Sequence, residues 1–394
     1  MRKSHAFIII LEIIFCSVLL SSCKLKGLIN TLPKLPYDSP NSSANQESKP
    51  SSDAEGSPSP TGHTIEITPT PSIASSSNKI TLSFVGDCVL GNINEEDNPS
   101  YFPNVYKAQG SYTYPFDLVK DVFKNDDLTI ANCEGTFTDS TVQSTKKWRF
   151  RGPKEYAGIF AASSVEAVSV CNNHVPYDYL SKGYEDTKKN LIGAGTGIFH
   201  TKAPFITEVK GTQVVVIGDD STSMGTSGVM ERVISEIRKY KKKDNMVIVD
   251  MHWGTEYQEL PTQWQQEAGR AFIDTGADLV VGQHPHILQG IELYNGKYIV
   301  YSLGNFAFGG NDQCKYPETF IFRISFDTEG GTAEACIVPC YMTSTREKDS
   351  VCIMKNNYQP QIVEGDEADQ VMKLLLKRSS PLKHGIKEMD VYKN

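Results

Sequence analysis

The chain has 394 residues, 39% of them hydrophobic and 22% charged, with a formal net charge of -8. That acidity excludes general nucleic-acid binding, which needs a basic face to neutralise phosphates, but leaves a small anionic ligand open, because one arginine or a metal ion outweighs the global balance locally. The length allows one large domain or two ordinary ones of roughly 100–200 residues each, and the low apolar fraction predicts that part of the chain lies outside any core.

The first segment reads Met1-Arg2-Lys3, an apolar run from Ala6 to Leu20, then Leu20-Ser21-Ser22-Cys23. A basic start, a short apolar stretch and small residues before a break point make a secretory signal over 1–22. The run is shorter than the roughly 20 apolar residues of a spanning helix, and Glu12 interrupts it. Leu-Ser-Ser-Cys resembles the bacterial lipobox, which implies a diacylated Cys23 at the mature N-terminus, two chains giving a stable anchor. An uncleaved signal anchor is the alternative. Either one places the rest of the chain outside the cytoplasm on a bacterial membrane. Residues 23–78 hold the anchor and a Ser/Pro-rich stretch, SSANQESKPSSDAEGSPSPTG and TPTPSIASSS at its plainest. Such a composition buries too little apolar surface to offset its ordering entropy, so it is expected to be a disordered tether.

Order is predicted from Lys79. Ile80–Val85 alternates as a strand into Gly86-Asp87, and similar runs follow at Leu128–Asn132, Ala167–Cys171, Met246–Met251 and Leu279–Gly282. Helical patterns lie between them at Lys154–Ala162, Tyr184–Ala194, Val229–Tyr240 and Thr262–Thr275. Strands alternating with helices predict an α/β layered domain over 79–345. Lys210-Gly211 and Asn295-Gly296 each read as the turn of a hairpin. Further strands are expected within Phe320–Val338. An extension over 346–394 ends in an amphipathic helix, Glu367–Lys377, packing on the domain. Nine cysteines are present. Cys88, Cys133 and Cys171 fall at strand ends, where small buried thiols are common, and the spacing of Cys314, Cys336, Cys340 and Cys352 sets no pairing.

Polar residues gather on one side of this pattern. Asp87, Asn132, Glu134, Asn173, His174, His252, His284 and His286 all lie at or just past the C-terminal ends of predicted strands, the edge where open α/β sheets bind ligands. Four of the eight histidines fall in this set. His284-Pro285-His286 puts two imidazoles on a loop stiffened by proline, and imidazole is the commonest metal ligand. Carboxylate, amide and imidazole together suit a divalent cation, one or two ions of Mn, Fe, Zn or Mg. Arg149 and Arg151 are candidates to hold an anionic substrate, because an arginine fork matches phosphate or carboxylate. Glu256 is a candidate acceptor behind a ligating histidine, and Asn305 a candidate ligand contact.

The segments GDCVLG, NCEGTFT, NNHVPYDYLSKGYEDT, HWGTEY and GADLVVGQHPHILQGIELYNGKYIVYSLGNFAF occur in this order from about Lys79 to Phe308. Together they resemble the CapA family of poly-γ-glutamate capsule-synthesis proteins, which is similar in fold to the calcineurin-like metallophosphatases. The resemblance implies a four-layered sandwich of two β-sheets flanked by helices. By position it implies that Glu134 bridges two cations, Asp87 and His286 completing one and Asn173, His252 and His284 the other. His174 would be the general acid, oriented by Asp178. Two ions about 3.5–4 Å apart clamp both oxygens of an in-line displacement. The chain departs from the metallophosphatases at their first motif, Asp-x-His, where Asp87 is followed by Cys88 and Val89, so one expected imidazole is missing. Three functions follow. The first is a surface lipoprotein of poly-γ-glutamate synthesis, export or anchoring, with a metal site for phosphoester or amide hydrolysis or transfer. The second is a non-catalytic scaffold or binding subunit beside membrane polymer-synthase subunits. The third is a general extracytoplasmic phosphoesterase. The expected partners are the membrane, through the lipid anchor, and an anionic polymer or phosphorylated substrate, with no nucleic acid.

Overall fold

Parallel strands buried on both faces need apolar residues at nearly every position, and Asn245–His252 shows why the chain builds them. Met246 and Ile248 of this strand enter one core, while Val247, Val249 and Met251 enter another. A computed structural model describes residues 79–93, 97–327 and 334–392. The signal, Cys23 and the tether lie outside the described residues. Among those described, no helix is long and apolar enough to cross a membrane.

The first sheet contains β1 (Lys79–Val89), β2 (Leu128–Cys133), β3 (Ala167–Ser169) and β4 (Gly197–Phe199). The second contains β5 (Phe205–Val209), β6 (Thr212–Asp220), β7 (Asn245–His252), β8 (Leu279–Gln283), β9 (Ile291–Tyr294) and β10 (Lys297–Val300). The chain then returns to the first sheet with β11 (Asn305–Phe308), β12 (Glu318–Asp327), β13 (Glu334–Tyr341), β14 (Gln361–Ile362) and β15 (Asp390–Val391). The first sheet runs β14-β13-β12-β1-β2-β3-β4, with β11 beside β1 and β15 beside β13; the second runs β9-β10-β8-β7-β6-β5. Strands β1, β2, β3 and β4 are mutually parallel, as are β6, β7, β8 and β10.

Three cores define the layers. Leu82, Phe84 and Ile130 of the first sheet meet Val214, Ile248 and Val281 of the second in a core between the sheets. The outer face of the first sheet is covered by α1 (Phe102–Gln109), α2 (Lys120–Lys124), α3 (Gly158–Ala162) and α4 (Leu180–Gly193) through Phe102, Phe123, Phe160 and Leu191. On the outer face of the second sheet, α5 (Val229–Tyr240) and α6 (Gln263–Thr275) pack Val233, Ile237 and Phe272 against β6, β7 and β8. The result is the expected four-layered sandwich, helices outside and two sheets inside. A last helix, α7 (Gly365–Ser379), buries Val371 and Leu375 in the core between the sheets.

Several details differ from the sequence reading. The predicted helix Lys154–Ala162 is a single 3-10 stretch, Lys154–Ala157, followed by the short α3. The predicted strand Ala167–Cys171 ends at Ser169, because Asn172 begins a side-chain-bonded turn in which its Oδ1 accepts from the N–H groups of His174 and Val175. Helices α1 and α2 were not anticipated; at 8 and 5 residues they are too short to show a period. The hairpin turns stand as read, with Asn295 and Gly296 at φ 50° and 73° and Lys210 and Gly211 at 48° and 80°. All seven described cysteines are free thiols.

Candidate metal centre

The edge of the sandwich where the parallel strands end is assembled by register. Asp87 pairs across with Asn132, and Asn132 with Ser169, in the first sheet. His252 pairs with Gln283 in the second. Strand β1 carries a bulge on either side of Asp87, a device that re-aims a side chain beside active sites. Gly86 is required at this bulge, because a Cβ there would collide with the carbonyl of Gly304. That close approach lets the Asp87 N–H donate to Gly304 O at 3.0 Å. On the opposite sheet, His284 and His286 adopt φ 95° and 58°. Residues with a Cβ rarely enter this region, and strain of this kind concentrates at functional sites.

Six predicted residues, Asp87, Glu134, Asn173, His252, His284 and His286, come together around Glu134. Its Oε1 lies 3.4 Å from His252 Nε2, and its Oε2 lies 3.9 Å from His286 Nδ1. On one side His286 Nδ1 stands 3.1 Å from Asp87 Oδ2 and 2.9 Å from Asn305 Oδ1. On the other side His252 Nε2 stands 3.0 Å from Asn173 Oδ1, and the His252 and His284 rings are 4.7 Å apart. One donor atom from each of Glu134, His284 and His286 lies within 4.8 Å of the others.

The electrostatics suit a cation. Both carboxylate oxygens of Glu134 and Nδ1 of His284 are buried without a hydrogen-bond partner, which costs about 1–3 kcal/mol for each such group. Burial, reinforced by Asp87, pushes the Glu134 carboxyl well above its usual range. Burial holds His252 well below the usual histidine value and His284 down to about 2, so both imidazoles are in the neutral, ligating form. Burial works against the charged form of His286 too, but Glu134 and Asp87 outweigh it and raise the group to about 10. Carboxylates and neutral imidazoles with unused lone pairs fit a borderline or hard divalent ion.

Beside the cluster, His174 Nδ1–H donates to Asp178 Oδ2 at 2.8 Å, leaving Nε2 as its second ring nitrogen. Asp178 is fully buried and also accepts from the Phe150 N–H at 2.8 Å. Lys146 was not singled out in the sequence. Its ammonium donates to Asp178 Oδ1 at 2.8 Å and to the Asn173 carbonyl at 2.5 Å. Nothing in the surrounding STKKW spelling marked it. Asn132 donates to Asp87 Oδ1 at 2.7 Å and so fixes the carboxylate. Buried Asp250 precedes His252 by two residues, and burial raises its carboxyl to about 8.

Arg149 and Arg151 are placed differently. Arg149 donates to Gln143 Oε1 at 2.9 Å and to the Lys146 carbonyl. Arg151 donates to the Ser140 carbonyl at 2.6 Å and lies over the Tyr179 ring. Neither lines the two cavities beside the cluster, of about 440 and 380 Å³. Both cavities are bounded by His286 and Tyr257; Asn305 lines the first, and His174 and Glu256 the second. Cys88 and Val89, where an Asp-x-His motif would continue, pack into apolar clusters.

A family model described as "Bacterial capsule synthesis protein PGA_cap" matches residues 81–310. The chain belongs to this family. Among its relatives are "PGA biosynthesis protein CapA" of Bacillus subtilis (strain 168), 32% identical over 250 residues, 58% of this chain and 63% of that one. "Capsule biosynthesis protein CapA" of Bacillus anthracis is 30% identical over 256 residues, 58% of this chain and 60% of that one. The PGA_cap chain thus spans about three fifths of the length of these relatives. Similar solved structures include a hypothetical protein from Thermus thermophilus, with 13% identity and a TM-score of 0.41 over 66% of this chain and 99% of that one. Another is a purple acid phosphatase from yellow lupin seeds, with 8% identity and a TM-score of 0.31 over 67% of this chain and 52% of that one. The four-layered architecture of this PGA_cap chain rests on its own sheets and cores rather than on those scores.

Proposed function

We propose that this protein acts outside the cytoplasm, anchored to the membrane through Cys23, in the synthesis, export or anchoring of a poly-γ-glutamate capsule. In this reading its metal centre hydrolyses or transfers at a phosphoester or amide bond. Family membership and the names of the Bacillus relatives support the capsule role. The observation that carries the metal chemistry is Glu134, buried between imidazoles with both oxygens unpartnered.

The residues divide the labour. Asp87, Glu134 and His286 would hold one cation, and Glu134, Asn173, His252 and His284 a second. Bound there, a divalent ion supplies Lewis acidity. His174 serves as the proton donor to a leaving group, its Nδ1–H fixed by Asp178 and Asp178 held in turn by Lys146. The proton passed on is the one Nε2 carries when the ring is doubly protonated, Nδ1–H staying on Asp178; burial lowers the His174 pKa, with Asp178 opposing, which makes that charged ring the stronger acid.

A second reading, a metal-stabilised scaffold beside membrane synthase subunits, is favoured by one observation. Cys88 and Val89 provide no ligand where metallophosphatases place a histidine. Metal analysis of the purified full-length protein and turnover of a generic phosphodiester separate the two. Glu134→Gln is expected to lose the cation. His174→Ala is expected to keep it while turnover falls by about 10²–10⁴. Bound cation with turnover indifferent to His174 would establish the scaffold instead.

A further inference from the structure

Helix α7 ends in Leu376-Lys377-Arg378-Ser379. Basic residues in a last helical turn meet the negative end of the helix dipole and ordinarily keep their charge in water. Lys377 does so, but Arg378 is only 5% exposed. Its guanidinium lies among the loops that follow β7 and β8. Nη1 donates to the Leu288 carbonyl at 2.6 Å and Nη2 to the Glu259 carboxylate at 3.3 Å, while Nε is buried without a partner. A buried cation is costly unless it is paired and hydrogen-bonded. Glu259 is itself 63% exposed, so the ion pair stabilises little. An apolar side chain of similar volume would cover the core at no greater cost. Cover alone therefore does not account for an arginine here.

Its two contacts do. Leu288 stands two residues past His286, and Glu259 two residues past Tyr257. Tyr257 lines both cavities beside the cluster, and its ring lies 6.1 Å from that of His286. The Tyr257 N–H donates to the Pro285 carbonyl and Gln289 Nε2 to the Gln258 carbonyl, each at 2.8 Å, so the two segments are stitched to one another. Tyr257, His284 and His286 all hold a positive φ, of 59°, 95° and 58°. Such conformations persist only where the surroundings enforce them. Helix α7 supplies a fixed end. Ser379 Oγ accepts from the Ile291 N–H at 2.9 Å and donates to the Leu375 carbonyl at 2.8 Å. A Cβ on Gly290 would strike the Arg378 carbonyl. The helix end is seated directly on the chain that leaves His286.

We infer that Arg378 is a positioning residue for the metal centre, its guanidinium spanning the His284–Leu288 and Tyr257–Glu259 segments and holding them at a set separation. Helix α7 lies beyond residues 81–310, the stretch that the family model matches. The C-terminal extension thus supplies part of the framework of the site. The inference deepens the metal-centre reading and rests on it for what the two segments carry, not for how they are held.

Hydrogen exchange of the full-length protein, read by mass spectrometry with and without added Mn²⁺, tests it. Arg378→Met keeps an apolar stem and removes both donors. Without metal it should speed exchange over 255–260 and 285–290 by about tenfold and leave β6 and β7 within about twofold of wild type. Glu259→Gln spares the Leu288 contact and should speed 255–260 alone, by about two- to threefold. Where Mn²⁺ binds the wild type, Arg378→Met should weaken it about tenfold, as loss of an outer support does. Unchanged exchange over both segments in Arg378→Met, a speeding spread evenly through both sheets, or an unaltered Mn²⁺ affinity would each overturn the proposal. A wild type that holds no Mn²⁺ sinks the metal-centre reading instead, and the exchange measured without metal still decides this one.

Discussion

Asp126 shows what single residues cost this fold away from the metal centre. Its Oδ2 accepts from the Thr129 hydroxyl at 2.8 Å, while Oδ1 is buried without a partner. Burial raises the carboxyl to about 7, with the Ser83 and Thr129 hydroxyls and the charge of Arg323 opposing and Asp127 adding to it. An unfolded aspartate titrates near about 3.9. Between that value and about 7 the folded chain binds the extra proton, so stability declines as pH rises through the window. Thermal melts across this range should show a falling midpoint in the wild type and a flatter profile in Asp126→Asn. An equal slope in both would place the titration elsewhere. The residues of the candidate cluster were legible for a different reason. Asp87, Glu134, Asn173, His252, His284 and His286 are each a polar side chain near the C-terminal end of an apolar strand or just past it, and that position is visible in a linear sequence. Lys146 was not, because it reaches Asp178 from a loop and across 32 residues. Arg149 and Arg151 were singled out on chemistry alone, and chemistry does not say where a guanidinium points.

At the level of elements, boundaries were readable where a local signal fixes them. Val229–Tyr240 stands as predicted because its apolar face repeats cleanly through Val229, Val233 and Ile237. Helix α6 begins after Thr262, whose side chain accepts from the Gln265 N–H at 3.2 Å, while Gln265 Oε1 accepts from the Thr262 N–H at 2.8 Å. This capping box holds the helix that seals the outer face of the second sheet. Thr262→Ala should destabilise the protein by about 0.5–2 kcal/mol in chemical denaturation, with the slope of the transition unchanged. A neutral result would mean that packing of Phe272 and Ala268 alone sets the helix. Elements whose shape depends on tertiary partners were not readable. The turn after β3 is imposed by Asn172, which also donates to the Cys133 carbonyl at 2.8 Å on the neighbouring strand.

Across the whole molecule, the α/β layering followed from strand–helix alternation and the two-sheet sandwich from the family resemblance, but the order of strands followed from neither. No local pattern announces that the chain crosses back after six strands of the other sheet, β11 and β12 to flank β1 and β13 to lie beyond β12. Nor does one show α7 entering the core between the sheets, with Arg378 donating to the Leu288 carbonyl at 2.6 Å. A chain stopped before Gly365 would leave Ile291, Phe320 and Ile337 with part of their cover removed. Such a truncation is expected to lose cooperative unfolding and to bind a hydrophobic dye, as read by calorimetry and fluorescence. A sharp transition in the truncated protein would show that the helix is dispensable.

The cluster around Glu134 draws its donors from both sheets. Asp87 accepts from the loop amide of His284 at 3.3 Å, although the two are separated by 197 positions in the chain. Neither half can therefore hold the centre by itself, and an ion seated there would act as one more clasp between two slabs joined by greasy contact and by polar bridges such as Lys210 to Asp127 at 2.8 Å. Loading would report that the slabs have docked, and stripping the ion should loosen the seam between them before it disturbs either one.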